Sequence, residues 1–71
     1  MSAAEVRAIL AEHVELPAGD DTPLELPSLV VVVLAEELER RFGFVVAARE
    51  LSPENFASVA RIAAFVARKR A

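Results

Sequence analysis

The stretch Pro27-Ser28-Leu29-Val30-Val31-Val32-Val33-Leu34 runs without a break into Ala35-Glu36-Glu37-Leu38-Glu39-Arg40-Arg41-Phe42-Gly43, and no other segment constrains the fold as much. Taken alone, four valines between two leucines read as a buried strand, because β-branched side chains suit a pleated surface. The continuation decides against that. No turn residue separates the valines from AEELERRF, and the joined segment places Val31, Leu34, Ala35, Leu38 and Phe42 on one helical face. Pro27 suits a helix start, where no amide hydrogen is needed, and Gly43 suits a left-handed stop. The pattern predicts a helix from Ser28 to Arg41. Its apolar stripe must then be covered by other helices.

The flanking segments supply them. Val6, Ile9, Leu10, His13 and Val14 recur at helical spacing, and Ser2 with Glu5 has the spacing of a capping box, so a first helix is expected over residues 3–15. Leu16-Pro17-Ala18-Gly19-Asp20-Asp21-Thr22-Pro23 is a loop, broken by two prolines and a glycine. Residues 44–51 form a second loop, with Val45, Val46 and Leu51 expected to anchor it on the core. Ser52-Pro53-Glu54-Asn55 starts a short helix, and Ser58 caps a last one whose buried face is Val59, Ile62, Ala63 and Val66. The expectation is an all-α single domain over residues 1–71: a small four-helix bundle, three main helices plus one short helix, with a long first loop.

Composition narrows the functional classes. A chain of 71 residues has room for one core. It contains no cysteine, so disulfides and thiolate metal sites are excluded. The acidic N-terminus lacks the basic-then-apolar signature of a signal peptide, and the apolar run from Leu29 to Ala35 is too short to span a bilayer. A cytoplasmic protein that engages neither membrane nor nucleic acid is expected, since the net charge of −3 opposes binding to phosphate backbones. Arg61, Arg68, Lys69 and Arg70 read as a solvated helix end, favoured by the carbonyl end of the dipole. His13 reads as a partly buried structural histidine, without a second metal-binding group at suitable spacing. No catalytic constellation of Ser, His and Asp can be assembled, so no independent enzyme is expected.

Within this plan, Asp21-Thr22-Pro23-Leu24, then Ser28-Leu29, then Leu38-Glu39-Arg40-Arg41-Phe42-Gly43 stand in a fixed order, and Leu51-Ser52-Pro53-Glu54-Asn55-Phe56-Ala57-Ser58-Val59 follows. The string resembles the acyl and peptidyl carrier proteins, in which an Asp-Thr-Pro-Leu element precedes an Asp-Ser-Leu helix start and a Leu-Glu-x-x-Phe-Gly helix end. The last segment is similar to the link between the third and fourth helices of many polyketide and peptide-synthase carriers. The resemblance implies that Ser28 carries a 4'-phosphopantetheine arm, transferred from coenzyme A by a phosphopantetheinyl transferase. It implies that acyl or aminoacyl groups ride as thioesters on that arm between loading and condensing enzymes, in polyketide or nonribosomal peptide biosynthesis. The protein itself would act as a monomer and catalyse nothing.

Two departures stand out. Pro27 occupies the place where the family usually has Asp, and the stretch from Leu24 to Ser28 is shorter than usual and lacks the customary Gly. Asp20, Asp21 or Glu25 is expected to supply the missing negative charge. The partner-binding face expected of the second helix is Leu29, Val33, Glu36, Glu37 and Arg40, opposite the core stripe and richer in apolar residues than the acidic face of fatty-acid carriers.

Overall fold

The computed structural model describes residues 3–71. Its elements are α1 (Ala3–Ala11), α2 (Ser28–Phe42), a 3-10 turn (Ala48–Glu50), α3 (Pro53–Phe56) and α4 (Val59–Arg70), with no strand among the described residues. The fold is all-helical, as the periodicity predicts, and the valine run lies inside α2. The Ser2 cap expected for the first helix lies outside the described residues.

One core joins the three long helices. Val6, Ile9 and Leu10 of α1, Leu34, Ala35 and Leu38 of α2, and Val59, Ile62, Phe65 and Val66 of α4 are buried together with Phe56 of α3. Each set recurs at three- and four-residue spacing, which puts it on one side of its helix. Val31 and Phe42, at the edges of the α2 stripe, are half-buried and pack against this cluster. Phe65 extends the α4 face beyond the expected set. All four phenylalanines form a chain of rings: Phe42 stacks on Phe44 (centroids 6.1 Å), Phe44 meets Phe65 edge-on (6.3 Å), and Phe65 meets Phe56 (5.5 Å). The rings therefore tie α2, the loop after it, α3 and α4 into one unit.

The helix ends explain two corrections. The first helix stops at Ala11, short of residue 15. The Glu12 N–H bonds to Ile9 O and the His13 N–H to Leu10 O, a tightening to three-residue spacing. Leu16 precedes a proline and is steered to extended backbone, so the helix cannot continue through it. In the loop after α2, Val45 is 76% exposed and does not anchor on the core, whereas Phe44, Val46 and Leu51 do. Alternation along extended backbone turns Val45 outward when its neighbours turn in.

The long loop is a return. Glu12 and His13 at the end of α1 lie beside Glu37 and Arg41 of α2, while Asp20 and Leu24 reach the start of α4. The Ala60 N–H bonds to Asp20 O at 2.9 Å, and the Leu24 N–H to Ala57 O at 2.7 Å. Arg7 fixes the same loop through Asp20 Oδ1 (Nε at 2.9 Å) and Ala18 O (3.3 Å). The loop thus carries the chain back along the bundle and delivers Ser28 beside the start of α4.

Gly43 ends α2 in the left-handed region (φ 76°), donating its N–H to Glu39 O. A Cβ placed there meets nothing within 4 Å, so only the backbone conformation opposes a side chain. Gly43→Ala is expected to lower the unfolding free energy by about 1–2 kcal/mol in urea titration, with an unchanged m-value.

Candidate functional site

Ser28 is the first residue of α2. Pro27 takes the capping position with extended backbone (φ −60°, ψ 151°) and contributes no side-chain cap. The Val31 N–H is the first to find the helical acceptor, Pro27 O, at 3.1 Å. The N–H groups of Ser28, Leu29 and Val30 therefore point out of the helix end, where the dipole is positive and no acidic side chain occupies the first turn. Ser28 is exposed and sits on the rim of an apolar groove of about 350 Å³. Leu24 and Leu26 of the return loop, Val31 and Val32 of α2, and Leu51 and Phe56 beyond it form the apolar walls. Ser52 adds a second hydroxyl to the lining.

The chain offers Ser28 no base. His13, the only histidine, lies beside Glu37, nine residues along α2, or about 13 Å at 1.5 Å per residue. The Ser28 hydroxyl is exposed and far from that imidazole.

The outward face of α2 carries most, but not all, of the residues expected there. Leu29 is 75% exposed, Val33 is 39% exposed, and Glu36 and Arg40 are exposed. Val32 is exposed too and reaches both this face and the groove, a role that the helical wheel alone did not assign. Glu37 is the exception. It is 4% exposed and belongs to the interior edge of α2, so it is not part of the helix's outward face, where it was expected. The cause is the end of α1, which covers that side of the helix with Glu12 and His13.

Around Glu37 the charges are neutralised locally. Arg40 binds its Oε1, and His13 Nε2 lies 3.5 Å from the same oxygen. The Arg41 Nε stands 2.7 Å from Oε2, close enough for an ion pair, although that oxygen receives no aligned hydrogen bond. The Arg41 guanidinium also holds Glu12 at 2.8 Å, and this bond to Glu12, more than Glu37, raises its pKa further. The fold therefore gives His13 the acidic neighbours that sequence spacing did not show: ligand atoms of Glu12, His13 and Glu37 lie within 4.8 Å of one another. Arg41, hydrogen-bonded to Glu12 and ion-paired with Glu37, fills the place of a cation between them.

Of the acidic residues expected to assist Ser28, Asp20 is committed to Arg7 through its carboxylate and to Ala60 through its carbonyl. Asp21 and Glu25 remain exposed. Leu24 and Leu26 turn into the groove, which leaves the intervening Glu25 facing away from it, beside Pro27.

The far wall of the groove is held by Glu50. Its carboxylate accepts the Ala47 N–H at 2.8 Å and pairs with Lys69 at 3.0 Å, and these contacts, the backbone bond first, depress its pKa below the usual carboxylate range. At the basic end of α4, Arg61, Arg68 and Arg70 are exposed, as expected, while Lys69 pairs with Glu50, Arg68 bonds Asn55 at 2.7 Å, and Arg70 lies over the Phe42 ring at 5.1 Å.

No protein-family model, no curated protein and no solved structure matches this chain. No helix among the described residues is long and apolar enough to cross a membrane.

The two neighbouring glutamates of α2 should behave oppositely. Glu37→Gln removes the charge that balances two arginines at a buried position and is expected to cost about 1–3 kcal/mol. Glu36→Gln, on the open surface, should stay within about 0.5 kcal/mol of the parent. Paired thermal and urea melts of the two variants measure the difference.

Proposed function

We propose that this chain is an acyl or peptidyl carrier protein, in which Ser28 bears a 4'-phosphopantetheine arm and acyl or aminoacyl intermediates travel as thioesters. The observation that carries the proposal is the setting of Ser28: an exposed hydroxyl at the first turn of a 15-residue helix, beside an apolar groove, inside the motif order that resembles that family. The free N–H groups and positive dipole at this helix end suit the phosphodiester that modification would create. The arm would supply the thiol that a chain without cysteine lacks. The chain's own residues position Ser28, leave it open to a transferase, and place apolar surface next to it.

Activation of the hydroxyl falls to the phosphopantetheinyl transferase, because the only histidine lies at the other end of the bundle. With Pro27 in the position usual for Asp and Asp20 engaged by Arg7, Asp21 and Glu25 are the carboxylates left to assist. Loading and condensing enzymes of polyketide or peptide assembly are the partners proposed for the holo form. A carrier-like interaction module that is never pantetheinylated is the second reading, and Pro27 is the observation that favours it.

Incubation with coenzyme A and a broad-specificity transferase, followed by intact-protein mass spectrometry, separates the two. The expected outcome is one phosphopantetheine increment in the parent chain and none in Ser28→Ala. A parent chain that stays unmodified with every transferase tried supports the interaction module instead.

The docking face predicts how partners bind. Leu29 and Val33 each contribute about 1.5–3 kcal/mol when fully buried, whereas rim charges mainly steer. Val33→Asp is expected to lower partner turnover at least tenfold, while raising the salt concentration should change it little. Turnover that collapses with salt and tolerates Val33→Asp would show the face to be electrostatic.

A further inference from the structure

The end of α1 brings the only histidine of the chain against α2, in a cluster that the setting of Ser28 leaves unused. Three side chains meet there. His13 Nε2 lies 3.5 Å from Glu37 Oε1, and one ligand atom each of Glu12, His13 and Glu37 falls within 4.8 Å of the others. Glu12 and His13 stand on the tightened turn that ends α1, and Glu37 on the side of α2 facing that turn.

One atom sets this cluster apart from an ordinary surface ion-pair network. Glu37 is buried, yet its Oε2 receives no hydrogen bond. Buried carboxylate oxygens ordinarily accept one, because water is no longer there to supply it. Arg40 and His13 face the other oxygen. Oε2 faces Arg41, whose Nε is near but not aligned, and Arg41 in turn holds Glu12. The oxygen has charge beside it and no directed donor. A metal ion meets that need, since it takes a lone pair without requiring an N–H in line.

The donor set selects the ion. One imidazole nitrogen with two carboxylates and no thiolate suits a borderline divalent ion, zinc above all, whereas magnesium and calcium prefer oxygen alone. Ligand atoms about 2.0–2.2 Å from a tetrahedral zinc stand about 3.3–3.6 Å apart. The separation of His13 and Glu37 falls within that range. Glu12 is exposed just past the end of its helix and has the freedom to close the remaining distance. Arg41 holds the central place, but its side chain is half-exposed and its bond to Glu12 lies at the surface, where ion pairs contribute little. When it turns to solvent, Arg40 still balances Glu37.

We propose that Glu12, His13 and Glu37 form a zinc site, which exchanges a Zn²⁺ ion with the Arg41 guanidinium and, when filled, clamps the end of α1 to α2. The site draws on none of the residues around Ser28 and does not require its modification, so its test and the mass-spectrometric one fail independently.

The test titrates the full chain with zinc chloride, followed by calorimetry and by NMR of the sole imidazole. One Zn²⁺ per chain is expected, shifting the His13 ring nitrogens, with no displacement by excess Mg²⁺. Loss of a ligand should cost at least the roughly tenfold in affinity that loss of a supporting contact costs, so His13→Gln and Glu12→Gln, both at exposed positions, should each weaken binding tenfold or more. Arg41→Met removes the competitor and should tighten binding about three- to tenfold, whereas Arg61→Met, the same charge change on α4, should leave it unaltered. No binding by the parent chain, an unmoved imidazole, displacement by Mg²⁺, or equal tightening in the two arginine variants would each overturn the proposal.

Discussion

The arrangement depends on two main-chain hydrogen bonds, Ala60 N–H to Asp20 O and Leu24 N–H to Ala57 O. They join a loop without regular structure to the start of α4, and so satisfy backbone groups that would otherwise be left unpaired at the edge of the core. They also decide direction. Because the return loop ends beside the start of α4, α2 begins at that end of the bundle, and Phe42 at its far end meets Arg70 at the far end of α4. Leu24 and Leu26, on the same loop, pack against the margin of the core and line the groove there.

Much of this was readable from the chain. Helix periodicity identified α2 despite its valines, and the same periodicity gave the buried residues of α1 and α4, because burial of one stripe is a property of a single helix. The end of α1 was not readable. Its apolar spacing continues to Val14, but Pro17 and the competing three-residue bonds end the helix sooner, and periodicity carries no information about either. Val45 departs from expectation for a related reason: apolar character alone suggests an anchor, whereas the alternation set by Phe44 and Val46 turns the side chain to solvent.

The site shows the same division. The exposure of Leu29, Val33, Glu36 and Arg40 follows from the angular position of each residue on α2. Glu37 lies on the same arc of the helical wheel, yet it is buried, because what covers it is the end of another helix reached across a long loop. No single-helix reasoning contains that contact. The groove was invisible for a stronger reason: its walls come from four separate segments, and its volume depends on how closely they approach. An arginine two positions from a loop gives no hint that it will bridge Glu12 and Glu37, so the ion-pair cluster appeared only with the fold.

The four valines of α2 also fix the shape of the surface they expose. A β-branched side chain inside a helix is held almost entirely in a single χ1 rotamer. Val32 and Val33, exposed on α2, therefore keep one shape before anything touches them. Lysines or glutamates in their place would each lose rotamer freedom on contact, at a cost of about 1.5–2 kcal/mol apiece when fully immobilised. The surface next to Ser28 is already ordered, and a partner that fits it has little side-chain entropy to remove.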